Sequence, residues 1–208
     1  MPVDRYRLRM GPGYLRFPHL RGDTLVFVAE DDVWTAQLAG GRAWRLTADG
    51  VPAANPRLSP NGTRVAWTSW REGAAEVLVA DADGGAARRL TWWGGTRCLG
   101  WAPSGEVLAL TSAGQPLGRR TWAWDVPPDG GAPRCREHGP LSDLALSADG
   151  PGVLLATTRS LESAWWKRYR GGTAAKLWWD ADGSGEFVRL LSDRFQYMDL
   201  DLYRGLDT

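Results

Sequence analysis

The sequence has few cysteines and lacks any long hydrophobic run. Its two cysteines, Cys98 and Cys135, are far apart and show no CxxC spacing, so we expect free thiols in a reducing cytosol rather than a disulfide framework. Behind the basic N-terminal residues, no apolar stretch reaches the roughly 7–15 residues of a secretory signal. None reaches the roughly 20 residues of a membrane span either. These absences predict a cytoplasmic protein.

The chain also has little net charge. Its 25 Lys and Arg residues nearly balance its 24 Asp and Glu residues, so the formal net charge is +1. A near-neutral chain has no overall field that would attract nucleic acid or an anionic membrane, and we expect neither as a partner. Because no GxxxxGK phosphate loop and no His and Cys cluster of zinc-ligand spacing occurs, we expect no cofactor and no metal.

No segment keeps the 3.6-residue hydrophobic period of a helix, whereas glycine and tryptophan are abundant, at 26 and 13 residues. The stretch 55–91 alternates apolar and polar residues in short runs, which are separated by Asn61-Gly62 and by Asp83-Gly84-Gly85. Such runs with Asn-Gly and Asp-Gly turns are typical of antiparallel strands in hairpins. The stretch predicts a four-stranded meander of about 40 residues, the size of a propeller blade.

Elements of this meander recur with a nearly constant spacing. The triplet Arg-Leu-Thr occurs at 45–47 and again at 89–91, which is 44 residues later. A Gly-Gly pair precedes each triplet at the same spacing, and a third pair follows at Gly130-Gly131. The glycines of the first turn, Gly62, Gly105 and Gly150, are 43 and 45 residues apart. A period of this size favours a propeller over a sandwich.

The repeats predict an all-β fold, a β-propeller with about four four-stranded blades. We expect an N-terminal extension at residues 1–13, blades over residues 14–193 and a divergent tail at residues 194–208. The approximate blade boundaries are 14–47, 55–91, 99–136 and 141–191.

The fourth repeat carries an insert at residues 159–175, between its second and third strands. The insert contains the run Trp165-Trp166-Lys167-Arg168-Tyr169-Arg170. Such a run is compatible with a single-stranded nucleic-acid groove, but an isolated patch on a near-neutral chain favours an insert folded over the propeller with wet cations. Propeller geometry places this insert on the same face as the connections between blades. Cations there can bind peptide carboxylates, because guanidinium groups match carboxylate geometry.

No residue pattern predicts a catalytic centre in this chain. Ser59 and Ser147 occupy the same register of different repeats, just before a turn, so we interpret them as turn residues. The two histidines, His19 and His138, lie in different repeats with no evident nucleophile partner. Gly183-Ser184-Gly185 lacks the spacing of a nucleophile elbow.

The run Asp180-Ala181-Asp182-Gly183-Ser184-Gly185 begins like a calcium loop. It has oxygen donors at positions one, three and five and glycine at position six, but position twelve is Leu191 instead of a bidentate glutamate. The flanking segments are predicted strands rather than helices. We therefore interpret the run as a hairpin turn.

Several stretches resemble the N-terminal propeller of tricorn-type proteases, which has PD40/TolB-like repeats. The most specific is WKRYRGGT at residues 166–173, followed by Lys176-Leu177-Trp178. Further matching stretches are Arg21-Gly22-Asp23, residues 27–34 and residues 43–47. The resemblance covers roughly residues 14–193.

The resemblance implies a cytoplasmic serine peptidase that forms large ring assemblies and trims peptides released by the proteasome. In this family a six-bladed propeller comes first and the catalytic residues lie in a later core, so no catalytic residue is implied here. An arginine pair near the second-to-third blade connection anchors the substrate's C-terminal carboxylate in the family, and that connection holds Arg97. We expect peptide binding by Arg97, Lys167, Arg168 and Arg170, and a homo-oligomer when the protein is complete.

Against six blades, four repeats predict an incomplete ring, and the change of pattern at Arg194 predicts a truncated or frameshifted product. Exposed edge strands would then favour aggregation or assembly through the edge. Two hypotheses remain open. The chain is either the propeller portion of a tricorn-type peptidase, without its catalytic core, or a stand-alone WD40/TolB-like propeller that scaffolds a protein partner. An independent enzyme is disfavoured because no nucleophile–base pair is visible.

Overall fold

The computed structural model describes residues 14–116, 118, 120–157 and 176–190, and every regular element in these ranges is a β-strand. The strands are β1 (Arg16–Arg21), β2 (Thr24–Ala29), β3 (Asp32–Gln37), β4 (Trp44–Arg45), β5 (Ala53–Leu58), β6 (Arg64–Ser69), β7 (Glu76–Asp81), β8 (Arg88–Arg89), β9 (Thr96–Trp101), β10 (Val107–Thr111), β11 (Trp122–Val126), β12 (Arg134–Cys135), β13 (Asp143–Leu146), β14 (Val153–Thr157), β15 (Lys176–Asp180) and β16 (Val188–Arg189). The predicted N-terminal extension and divergent tail lie outside the described residues.

The described strands form four antiparallel sheets, each made of four consecutive strands. The first strands β1, β5, β9 and β13 contact one another in succession, so they are the inner strands of the assembly. The two-residue fourth strands lie at the outer edge of each sheet. This is the arrangement of propeller blades, and it confirms the predicted all-β fold with four four-stranded blades.

Apolar residues on alternating strand positions fill the space between neighbouring blades. Val26 and Val28 of the first blade pack against Trp67 of the second, and all three side chains are buried. Leu110 of the third blade packs with Leu155 of the fourth in the same way. The second and third sheets pack against a neighbouring blade on both faces, so these blades depend on their neighbours for much of their hydrophobic stabilisation.

The paired glycines that revealed the period occupy the hairpins between the third and fourth strands. Gly84 and Gly85 have φ values of 112° and 133°, a region that residues with a Cβ adopt only with strain. Gly40-Gly41 and Gly130-Gly131 also have positive φ. The spacing in the sequence therefore reflects a backbone requirement that recurs once in each of these three blades.

The inner strands of the first three blades each contain a bulge that the sequence pattern did not predict. The register shifts within β1, β5 and β9, and Phe17, Asn55 and Gly100 at these places have positive φ. The sequence predicts that the first strand of the second blade begins at Pro56, whereas β5 already begins at Ala53. Because a bulge inserts one extra residue into the strand, it interrupts the two-residue period on which that prediction rests.

Candidate functional site

The antiparallel order of the strands separates two sets of loops. The loops between second and third strands and the connections between blades share one end, which we call the loop face. In the described residues the loop face comprises residues 30–31, 46–52, 70–75, 90–95, 112–116 and 136–142. The opposite end, the hairpin face, carries the turn after each inner strand and the hairpin between the third and fourth strands.

Arg97 lies near the loop face, close to the start of the inner strand β9. Its Nη2 donates a hydrogen bond to the carbonyl oxygen of Ser142 at 2.5 Å and lies 3.9 Å from Oδ1 of Asp143. The side chain is 40% exposed. Since a guanidinium has five N–H donors, these contacts engage only part of its capacity. Arg97 therefore joins the inner strands of the third and fourth blades and also faces solvent.

The other predicted binding residues, Lys167, Arg168 and Arg170, lie outside the described residues. The strands that flank their insert pair through Thr157 and Lys176, at the loop-face end of the fourth blade. The backbone N–H of Ser142, whose carbonyl binds Arg97, donates to the carbonyl oxygen of Ala156 at 2.8 Å. The insert therefore follows β14, and β14 pairs with β13, the strand that Arg97 contacts through Asp143.

A buried carboxylate, Glu76, organises the loop that precedes Arg97. Its side chain is 1% exposed and forms an ion pair with Arg89, with Nη2 and Oε1 3.2 Å apart. Its Oε1 also accepts from the backbone N–H of Gly94 at 2.6 Å. Oε2 accepts from the hydroxyls of Thr91 and Thr96, at 2.5 and 3.2 Å. One carboxylate therefore fixes the connection from the second blade to the third.

The charge state of Glu76 follows from these contacts. Burial on its own would raise the pKa of this carboxyl, because it disfavours the charged form. Hydrogen bonds from Thr91, from the backbone of Gly94 and Trp93 and from Thr96 outweigh burial, and the pKa lies below the ordinary value of 4.5. Glu76 is therefore a buried anion at neutral pH.

Sequence reasoning missed Glu76, although the repeated Arg-Leu-Thr triplet contained the signal for it. In the first blade the same triplet supplies Arg45 and Thr47 to Asp32, which precedes Glu76 by 44 residues. The Thr47 hydroxyl donates to Oδ1 of Asp32 at 2.6 Å, and Nη1 of Arg45 lies 3.3 Å from Oδ2. The triplet thus supplies the arginine and the threonine that bind a carboxylate. That carboxylate belongs to the first residue of the third strand.

Two tryptophans of the loop face are exposed, and one of them contacts this network. Trp92 is 68% exposed, and the Arg89 guanidinium lies 5.3 Å from the centroid of its ring. Trp70, at the beginning of the neighbouring loop, is 39% exposed. The adjacent Trp93 instead packs against Trp124 of the third blade, with ring centroids 5.1 Å apart. The loop that Glu76 fixes therefore has one anchored and one exposed tryptophan.

The histidines and the turn serine have structural contacts. Nδ1 of His19 accepts from the backbone N–H of Leu58 in the next blade, at 3.1 Å. The ring of His138 meets Phe187 edge-on, with centroids 5.7 Å apart. The hydroxyl of Ser59 donates to Oδ1 of Asn61 within its turn at 2.7 Å. In the part of the chain that the structure describes, these contacts link strands and turns and form no hydrolytic triad.

The calcium-like run has the geometry of a hairpin turn. Oδ1 of Asp180 accepts from the backbone N–H of Gly183 at 2.9 Å, and Oδ2 accepts from that of Gly185 at 2.8 Å. Because the turn itself uses both carboxylate oxygens and Asp180 is 1% exposed, the carboxylate caps the hairpin. Among the described residues, no group of three or more His, Cys, Asp or Glu side chains could hold a metal ion.

The two cysteines are free thiols, Cys98 buried and Cys135 half-buried. Burial raises the pKa of the Cys135 thiol, so little reactive thiolate forms there at neutral pH. No helix among the described residues is long and apolar enough to cross a membrane.

One family matches this chain over most of its length. The sequence profile described as tricorn protease N-terminal beta propeller domain matches residues 12–199. Tricorn protease homolog 1 of Streptomyces coelicolor is 56% identical over 182 residues, which are 86% of this chain and 17% of that protein. The crystal structure of the tricorn protease superposes with a TM-score of 0.77 at 27% identity, covering 88% of this chain and 18% of that one. The chain thus spans less than a fifth of the length of these two proteins.

A shorter relative differs in this respect. A candidate tricorn-like protease N-terminal subunit of Sulfurisphaera tokodaii is 30% identical over 171 residues, which are 79% of this chain and 85% of that protein.

Proposed function

The chain belongs to the family of tricorn protease N-terminal β-propeller domains, and from this membership we propose that it is the peptide-binding propeller of a tricorn-type serine peptidase. That peptidase degrades oligopeptides downstream of the proteasome, and its catalytic residues lie in the remainder of the whole protein. The two histidines and the turn serine contact a neighbouring strand, an aromatic ring and a turn residue. These structural roles are consistent with a unit that binds or filters peptides without cleaving them.

Within this function, Arg97 binds the C-terminal carboxylate of the peptide, with Lys167, Arg168 and Arg170 of the insert contributing further positive charge. The observation that carries this role is the position of Arg97. It lies on an inner strand near the loop face, and its side chain is 40% exposed. It also contacts Ser142 and Asp143, beside β14, which the insert follows. A guanidinium that retains free donor capacity and solvent access can form a charge-assisted pair with a carboxylate.

Peptides that differ only in their C-terminus test this role. We expect an N-acetylated hexapeptide with a free C-terminus to bind about tenfold more tightly than its amidated form, because a charge-assisted hydrogen bond contributes about 1.5–3 kcal/mol before solvent screening reduces it. Isothermal titration of both peptides gives the ratio. Arg97→Gln should remove most of the difference, whereas Arg42→Gln, at an exposed arginine of the first blade, should leave it intact. Equal affinity for the two peptides contradicts the role.

The same function includes a location and an assembly. A peptidase that acts on products of the proteasome works in the cytoplasm, and we expect the whole protein to form a homo-oligomer there. Native mass spectrometry of the whole protein from cytoplasmic extract measures both. A monomer, or recovery from the culture medium instead of the cytoplasm, contradicts this part of the proposal.

A second candidate function rests on the Sulfurisphaera tokodaii relative, because this chain matches 85% of its length. The candidate is a propeller that acts as a separate protein and scaffolds a partner by binding it. Cross-linking of the tagged chain in the cells that produce it, followed by mass spectrometry, tests this alternative. A separately encoded peptidase chain cross-linked to defined residues of the loop face supports it, and a peptidase region on the same polypeptide contradicts it.

A further inference from the structure

The connection from the second blade to the third exposes a large aromatic ring to solvent. Among the described tryptophans Trp92 is the most exposed, at 68%, followed by Trp44 at 41% and Trp70 at 39%. Single exposed hydrophobic side chains are common on protein surfaces. Trp92 differs from such a side chain because the loop that carries it is fixed by buried contacts on both sides.

The contacts that fix this loop flank Trp92 in the sequence. Before it, the hydroxyl of Thr91 donates to Oε2 of the buried Glu76 at 2.5 Å. After it, the ring of Trp93 packs against the third blade, and the backbone N–H of Gly94 donates to Oε1 of Glu76 at 2.6 Å. A ring on a loop that is already ordered loses less entropy when a ligand binds to it.

The electrostatic surroundings of the ring indicate which side chain it can bind. The Arg89 guanidinium lies 5.3 Å from the ring centroid of Trp92, which is a cation–π distance. Because Arg89 also pairs with Glu76, its charge is largely balanced and attracts an anionic side chain only weakly. A second cation at the ring would be repelled by Arg89. A flat, neutral, aromatic side chain therefore suits Trp92 best.

The repeat does not require a tryptophan at this position. Ala48 lies 44 residues before Trp92 and follows the Arg-Leu-Thr triplet of the first blade in the same way. The carboxylate of that blade is Asp32, whereas Glu76 is one methylene longer and also accepts from the loop at Gly94. The blade plan thus accounts for the carboxylate and its triplet, and the exposed ring is an addition to it.

We propose that Trp92 is a specificity-determining residue, whose ring binds an aromatic side chain of the peptide that Arg97 holds by its C-terminus. This inference rests on the proposed peptide-binding function and adds a side-chain subsite to it. Trp92 and Arg97 are five residues apart, so the chain between them spans at most about 18 Å. An extended peptide covers that distance with about five residues. The subsite therefore accepts a side chain within about five positions of the peptide's C-terminus.

A series of peptides with one aromatic residue tests the subsite. The reference is an N-acetylated hexapeptide of alanine and serine with a free C-terminus, and five further peptides carry phenylalanine at one of the positions before the last. We expect the peptide with the matching position to bind about tenfold more tightly than the reference in isothermal titration, because ring contact adds to the burial of apolar area. Lysine at the same position should give no gain.

Variants of the full chain assign the gain to Trp92. Trp92→Ala should remove most of the gain and change the affinity for the reference peptide by less than about twofold. Since the side chain is exposed, the urea midpoint of this variant should stay close to that of wild type. Trp44→Ala, which removes an exposed tryptophan of the outer strand β4, is the matched control and should keep the gain. A gain that survives Trp92→Ala overturns the inference.

Amidated forms of the same peptides separate this inference from the role of Arg97. If the phenylalanine gain depends on Trp92 while free and amidated C-termini bind equally, the aromatic subsite stands and the role of Arg97 fails. If the free C-terminus is preferred but phenylalanine gives no gain at any position, the role of Arg97 stands and the inference is overturned. Failure of every peptide to bind contradicts both.

Discussion

At the scale of single residues, Glu76 is the side chain on which the geometry of the second-to-third blade connection most depends. Its carboxylate receives donors from Arg89, from the backbone of Gly94 and from two threonines. Replacing a buried anion by an amide turns one oxygen into a donor that faces other donors. Such a replacement costs more than the removal of an exposed charge, because the buried donors lose their acceptor.

We expect Glu76→Gln to lower the free energy of unfolding at pH 7 by about 2 kcal/mol. The pKa of Glu76 is lowered by folding from its ordinary value of 4.5, so its contribution is complete above that value and is lost as the pH falls through the folded pKa. Urea denaturation at pH 7 and at lower pH should therefore show a difference between wild type and variant that shrinks with acid. Glu72→Gln, in the exposed loop nearby, is the control and should have little effect at either pH.

His138 also makes the stability depend on pH, but through a basic side chain instead of an acidic one. Burial, and next the neighbouring Arg136, lower the pKa of His138 below 6.5, although Asp180, Glu137 and Asp125 favour the charged form. The folded chain therefore prefers the neutral ring, which packs edge-on against Phe187. The stabilisation is complete above the unfolded pKa of about 6.5 and is lost as the pH falls through the lower folded pKa.

Accordingly, His138→Phe should become more stable relative to wild type as the pH falls from 7 to 5. Phenylalanine keeps an aromatic ring against Phe187 and has no titration of its own. Thermal unfolding of both proteins across this pH range measures the difference. A difference that stays constant with pH would show that His138 does not titrate differently in the folded and unfolded chains.

Residue roles were the least predictable part from sequence. The Arg-Leu-Thr triplet was visible as a repeat. Its two copies bind different acidic residues, Asp32 and Glu76, and each acid is distant from its triplet in the sequence. Only the antiparallel pairing of third and fourth strands brings each acid next to its triplet. The sequence predicted Arg97 on the connection between the second and third blades, whereas in the structure it lies on β9. Its contacts with Ser142 and Asp143 depend on how neighbouring blades pack.

At the scale of elements, the turns are the part of the fold that the sequence predicts best. Paired glycines with positive φ appear once in each of the first three blades, and together with the first-turn glycines, Gly150 among them, they predicted four blades and most strand positions. The inner strands were less predictable, because a bulge in β1, β5 and β9 interrupts the alternation. Bulges depend on the curvature that the inner strands need around the axis, which no local pattern encodes.

Among the glycines of the connections, Gly139 is required by contact with a neighbouring ring. A Cβ added there would lie 1.9 Å from Cδ1 of Trp122, whereas a Cβ at Gly95 meets nothing within 4 Å. We expect Gly139→Ala to lower the free energy of unfolding by about 3 kcal/mol, because the ring or the backbone must move. Gly95→Ala should change it by less than about 0.5 kcal/mol. Urea midpoints of the two variants, compared with wild type, give both values, and equal effects would refute the contact.

At the scale of the whole molecule, the four described blades share their hydrophobic contacts and present two different ends. The loop face has the connections, Arg97 and the flanks of the insert, and the hairpin face has the turn after each inner strand and the hairpins between third and fourth strands. The fold and the family follow from the repeat and from the insert sequence. The contacts of Arg97 with the fourth blade depend on how the blades pack, and they therefore required the structure.

The central claim is that Arg97 of this propeller binds the C-terminal carboxylate of a peptide. Nuclear magnetic resonance of arginine Nε–Hε groups in the ¹⁵N-labelled chain tests it most directly, with the Arg97 signal assigned by its absence in Arg97→Gln. We predict that this signal moves progressively during titration with a peptide that has a free C-terminus and stays in place with the amidated form. An Arg97 signal that does not respond to the free peptide, or responds equally to both, would contradict the claim.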